Sequence, residues 1–347
     1  MPNNVMLDVQ TFNTLVEPND LPSQDWQALK LTQQAQHATP RSHFLCYVVY
    51  GDDKIYYDGV KLSILSFFAQ IDGHERPTVI VLSERPDFFA SWQQQTDLEL
   101  INLTLSDKLF NIATQDNYGY RLKTLGLAHI IDLLGKHHLA DGHSKFLFFD
   151  SDTYFLTNPM PLYDKIDDKH VVMYKKESAI FTHKKYRNYL YGEANKAGIN
   201  GLKGKDISHI NPADGSPLIY RLQDHATMYS SLIMGVKSHA VIYLLQACNL
   251  MYPIRALTNA RTVEQFCFAE IFKQHYTIIE GKEFVRHFSR RRQKAYVESQ
   301  MMSFWQQFDD SDFAVQCANI HAINFQRPFW LTLAQAIKRI FKPEPIR

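Results

Sequence analysis

The chain is poor in most of what would mark a metal ribbon, a nucleic-acid binder or a membrane span. Its four cysteines, Cys46, Cys248, Cys267 and Cys317, form no Cys-x-x-Cys pair, and each stands in an apolar context. That argues against zinc and for reduced core residues of a cytosolic protein. Neither sign of charge is in excess: 37 Lys and Arg against 36 Asp and Glu leave a net charge of +1. A dominant nucleic-acid role is thereby excluded, although local basic patches are not. No apolar run approaches the ~18 residues needed to span a bilayer. Met1-Pro-Asn-Asn-Val lacks the basic-then-apolar layout of a secretory signal, so the expected location is the cytoplasm. No internal repeat and no low-complexity segment is found.

What remains is 347 residues, 45% hydrophobic and 13% aromatic, enough for a large core in one elaborated domain or two smaller ones. Residues 1–42 are polar and read as an N-terminal arm, with one short helix expected from Ser23. Buried-type strands are expected at Phe44–Tyr50, Thr78–Leu82, Leu98–Leu103 and from Lys145 to Asp150. Helices are expected at Tyr57–Phe68 and from Tyr120 to about Leu134. This alternation predicts an α/β fold with a mainly parallel sheet. Further on, Val171–Tyr174 and Ser231–Val236 read as strands, and Ala240–Leu250 and Val263–Gln274 as helices. Residues 192–217 read as a long loop.

The segment Lys145-Phe-Leu-Phe-Phe-Asp150-Ser151-Asp152 carries the chemistry. Four apolar residues deliver two carboxylates, one residue apart, to the C-terminal end of a strand, where open α/β sheets bind ligands. Both can reach one hard divalent cation, which can in turn hold a diphosphate. The plainer alternative is a pair of turn-capping aspartates.

The order and spacing of five local patterns resemble a GT-A fold glycosyltransferase, closest to the retaining family that holds glycogenin and the bacterial lipooligosaccharide galactosyltransferases. They are Gly51-Asp52 with Tyr56 and Tyr57, Tyr120-Arg121-Leu122-Lys123, Asp150-Ser151-Asp152, Glu264-Gln265, and His321-Ala-Ile-Asn324-Phe-Gln-Arg327-Pro328-Phe329-Trp330. The resemblance covers about residues 43–330, leaving 331–347 as a basic amphipathic tail. It departs from the family at Asn324 (Gly there), at Arg327 (Lys there) and at Tyr229-Ser230-Ser231-Leu232, where the family has Asn-x-Gly. Residues from Lys136 to Ser144 read as an insertion.

What the resemblance implies is a Rossmann-like mixed sheet flanked by helices and a metal-dependent hexosyltransferase. It would move a sugar from a nucleotide-diphosphate donor, a UDP-sugar, to a saccharide or glycoconjugate with retention. Mn²⁺ or Mg²⁺ would be held by Asp150, Asp152 and His321; imidazole and carboxylate together suit Mn²⁺. The nucleotide would lie against Tyr50, Gly51, Asp52 and Ser151, with Tyr57 stacking on the base and Tyr56 as the fallback. Arg121 and Arg327 would face the phosphates. Glu264 and Gln265 would face the anomeric carbon. On the residues alone, Arg121 reads equally well as a solvated helix residue, and Glu264 as an acid placed for the helix dipole.

Two features fall outside this scheme. Arg286-His-Phe-Ser-Arg290-Arg291-Arg292-Gln-Lys294 is either a solvated basic face or a site for an anionic substrate or membrane surface. The tail from Trp330 suits an interfacial helix or a packed terminal one, so peripheral contact with the inner face of a membrane is a second expectation. Two rival functions stand beside the first: a silent sugar- or polyanion-binding protein on the same fold, and a haloacid-dehalogenase-type phosphohydrolase. The latter is disfavoured by Tyr154, where that chemistry wants Thr or Val.

Overall fold

The computed structural model describes residues 7–14, 42–71, 76–192, 201–288, 291–325 and 328. The strands are β1 (His43–Val49), β2 (Thr78–Ser83), β3 (Leu100–Thr104), β4 (Lys145–Phe149), β5 (Thr153–Phe155), β6 (His170–Ala179), β7 (Asp206–Ile210), β8 (Pro217–Arg221), β9 (Thr227–Lys237), β10 (Thr277–Glu280) and β11 (Val285–His287). Among the described residues, seven of them form one sheet in the order β10-β6-β9-β4-β1-β2-β3. All neighbours are parallel except that β9 runs antiparallel to both β4 and β6. The fold is therefore α/β with a mainly parallel mixed sheet flanked by helices, as expected.

β1 and β4 read as continuous apolar runs because both their faces are covered. Phe44, Cys46, Val48, Phe146 and Phe148 enter one core, and Leu45, Tyr47, Val49, Leu147 and Phe149 the other. The first core also takes residues of the helices Arg121–Lys136, Val241–Leu257 and Val263–His275. The second takes residues of Lys54–Phe68 and Arg291–Phe308.

This order creates the site. From β1 the chain winds outward through β2 to β3, then returns to place β4 on the other side of β1. Between β1 and β4 the winding direction reverses, leaving a crevice at their C-terminal ends. Gly51 leaves β1 at that point, and Asp150 leaves β4.

Several elements differ from the sequence reading. Part of the 192–217 loop is a hairpin: β7 and β8 pair antiparallel, with Ile207 and His209 turned inward on alternate positions. The Val241–Leu257 helix runs on through Pro253, past the expected end at Leu250. Together with the turn before it, Ser238–Leu257 is long and apolar enough to cross a membrane by length and composition. Here it is a core helix, with Leu244, Leu245, Cys248, Leu250 and Met251 fully buried. Part of the N-terminal arm docks on it: the Leu7 N–H donates to Asn249 Oδ1 at 2.8 Å, and Asn249 Nδ2 donates to the Leu7 carbonyl at 2.8 Å. The four cysteines are free, three of them buried. The helix expected from Ser23 and the 331–347 tail lie outside the described residues.

Candidate active site

A cleft of about 1160 Å³ opens at the β1/β4 crevice. That lies just above the usual ~300–1,000 Å³ of a pocket for one small ligand.

Its floor is the Asp150–Asp152 turn, set against the Lys54–Phe68 helix at Gly59. A Cβ at Gly59 would stand 2.5 Å from the Ser151 carbonyl oxygen, so only glycine lets the turn lie this close. The Asp150 N–H donates to the Leu232 carbonyl of β9 at 3.1 Å, which fixes where β4 ends. Asp150, Ser151 and Asp152 all line the cleft.

Each aspartate has a partner that the sequence reading did not name. Lys123 Nζ donates to Asp150 Oδ2 at 2.7 Å, with both side chains less than a fifth exposed. Burial opposes the ammonium, but Asp150, Glu264 and Asp152 outweigh it, and the Lys123 pKa goes up. Asp150 itself is pushed up, by burial first and by Asp152 against the relief from Lys123. His287 Nε2 lies 2.9 Å from Asp152 Oδ2. Burial raises the Asp152 pKa, yet the hydrogen bond and charge of His287 bring it below the usual carboxylate range. The short antiparallel pairing of β11 with β5 puts His287 opposite Thr153, and so beside Asp152.

His321 is not at this site. Ile320 and Ile323 are buried, which turns His321 outward as an exposed residue of a 3₁₀ turn away from the cleft. His287 occupies the place expected of it. Two carboxylates and an imidazole fit a divalent cation such as Mn²⁺ by donor chemistry. Among the described residues, however, no three such side chains already stand at metal-binding spacing.

Arg121 also sits elsewhere than expected. It is wholly buried in the first core, forked onto Asp116 through two bonds of 2.7 Å, with its guanidinium 3.6 Å from the Tyr252 ring centroid. Two residues further along the same helix, Lys123 is the cation that reaches the cleft. Tyr57 is likewise interior: its hydroxyl donates to the Gly51 carbonyl at 2.8 Å and its ring stacks on Phe88. Tyr56, the fallback, is 39% exposed and lines the cleft with Tyr50 and Gly51. Asp52 is exposed and does not line it. Arg327 lies outside the described residues.

The opposite wall belongs to the Val263–His275 helix. Glu264 is buried, accepts the Tyr118 hydroxyl and the Ser231 Oγ, and has its pKa raised, by burial first. Gln265 Oε1 is buried with no hydrogen-bond partner among the described residues. An amide oxygen in that state, lining a cleft, is placed to accept from a ligand. Lys175, Lys185, Arg261, Arg286 and Lys294 join Lys123 in the lining. The basic run is thus partly cleft wall.

No family model matches the chain, and no curated protein matches it. Among solved structures it is similar to the glycosyltransferase GlyE of Streptococcus pneumoniae TIGR4, at 11% identity and a TM-score of 0.46, covering 83% of this chain and 65% of that one. It is also similar to the bifunctional glycosyltransferase WbbM, at 10% identity and a TM-score of 0.37, covering 70% of this chain and 39% of that one. The chain therefore spans less than two thirds of either neighbour.

Proposed function

We propose that the protein is a glycosyltransferase of the GT-A type that moves a sugar from a nucleotide-diphosphate donor, a UDP-sugar, to a saccharide or glycoconjugate. The observation that carries this reading is the strand-end pair Asp150 and Asp152, with Lys123 and His287, on the floor of a cleft of about 1160 Å³. Retention, and kinship with the glycogenin and lipooligosaccharide galactosyltransferase family, belong to the same proposal. So does a cytoplasmic location with peripheral contact at the inner membrane face.

In this reading the base lies at the Tyr50, Gly51 and Tyr56 end, where the Tyr56 ring has Lys294 Nζ 5.3 Å from its centroid. Asp150, Asp152 and His287 would hold Mn²⁺ or Mg²⁺, which supplies Lewis-acid neutralisation of the departing diphosphate. The chain's own cations add to it. Arg286 and Lys294 border the Asp152 turn, and among the described residues neither is ion-paired to a carboxylate. They can take phosphate oxygens as these gain charge when the sugar–phosphate bond breaks. Lys123 is kept protonated by Asp150, which it bonds, and by the nearby charges of Glu264 and Asp152. Gln265 Oε1 is the free acceptor for a sugar hydroxyl, and orients it.

The test is a panel of nucleotide sugars with Mn²⁺, reading release of the nucleoside diphosphate. Release from a UDP-sugar supports the proposal. Cleavage of phosphomonoesters without it would favour the phosphohydrolase, and binding with no turnover of any donor the silent protein.

A further inference from the structure

Beside the cleft lies a smaller recess of about 340 Å³, lined chiefly by Tyr50, Tyr118, Tyr120, Arg255 and Arg261. Tyr50, Tyr120 and Arg261 also line the cleft, so the two spaces share a wall. No Asp or Glu lines the recess, and among the described residues neither arginine is ion-paired to a carboxylate.

Both guanidiniums are held in place without a direct carboxylate partner, although the Glu264 charge reaches Arg261 through space. Arg261 donates from Nε and Nη2 to the Tyr120 hydroxyl at 3.1 and 2.9 Å. Arg255, in the last turn of its helix, lies 4.6 Å from the Tyr118 ring centroid and donates to the Ala260 carbonyl at 3.2 Å. Its Nε–H is buried with no partner among the described residues. The Tyr118 and Tyr120 rings, 5.7 Å apart, link the two arginines. Each guanidinium carries five N–H donors in a planar fork, and most of these are uncommitted here. The forked donors that each guanidinium leaves open match a phosphate or carboxylate.

We propose that this recess is a subsite for an anionic group, a phosphate or a carboxylate, on the acceptor saccharide. Its assignment to the acceptor rests on the glycosyl-transfer reading; its preference for an anion does not. The ligand reaches across the shared wall, with its acidic group on Arg255 and Arg261 and its sugar in the cleft beside Gln265. The acceptor class is therefore an acidic glycan.

The test titrates the full-length protein with a hexose 6-phosphate, a hexuronate and the neutral hexose by ligand-observed NMR. Saturating UDP and diamagnetic Mg²⁺ fill the donor end. At least one acidic sugar is expected to bind at least tenfold more tightly than the neutral one, and the two acidic arms tell phosphate from carboxylate. Arg255→Gln and Arg261→Gln should each reduce that preference at least fivefold. Arg261 is exposed, so its variant keeps the test open should Arg255→Gln fail to fold. Equal binding of neutral and acidic sugars, or a preference that survives both substitutions, would overturn the subsite. The two proposals fail separately. If UDP does not bind but the arginine-dependent preference holds, the transfer reading is lost and the subsite stands; if UDP binds without the preference, the reverse.

Discussion

Asp152→Asn is expected to lower sugar-transfer turnover at least about a hundredfold while the melting temperature stays within a few degrees of wild type. The amide keeps the size of the carboxylate and can still accept from His287, so the turn on Gly59 has no reason to move. What it loses is the charge that a divalent cation needs, at the member of the pair whose pKa lies below the usual range. His287→Ala should act in the same direction by weakening Mn²⁺ affinity, so that more Mn²⁺ is needed for activity, whereas His321→Ala should leave turnover as it was. Kinetics against Mn²⁺ concentration for the three variants decide it. Full activity in Asp152→Asn, or a loss confined to His321→Ala, would contradict the site as built here.

Asp116→Ala is expected to destabilise the fold by about 3–5 kcal/mol, because it leaves a fully buried guanidinium without its counter-charge. For a chain of this size that is a melting shift of roughly 4–7 °C. The double variant Arg121→Met, Asp116→Leu should recover much of the loss, since apolar side chains of similar volume remove the buried charge altogether. Urea unfolding of the three proteins measures both effects. Were Asp116→Ala as stable as wild type but poor at holding nucleotide, Arg121 would belong to the donor site and not to the core.

These two experiments also mark where the sequence was legible. β1, β2 and β4 could be read because their apolar runs are buried on both faces, and the Asp150–Asp152 pair because it ends one of them. The helix from Arg121 was legible, but not which of its cations faces the cleft. The two positions between Arg121 and Lys123 turn a helical side chain about 200°, and Asp116, five residues upstream, was the sign that Arg121 had a partner. His287 was hidden because the three-residue β11 is too short for a periodic signal and sits in a basic run that reads as surface. The 206–221 hairpin was missed because its polar outward residues and Gly215 turn look like loop composition. Gly59 carried no signal at all, since its need is set by a carbonyl 92 residues away in the chain.

The most direct measurement is calorimetric titration of the wild-type protein with UDP, with Mn²⁺ and then with a chelator. The account predicts binding that requires the cation and disappears with it. At a hundredfold excess over the dissociation constant, that binding would stabilise the fold by about 2.7 kcal/mol. Absence of binding for UDP and every other nucleoside diphosphate, with and without Mn²⁺, would contradict the claim that the Asp150–Asp152 cleft is a nucleotide-sugar site.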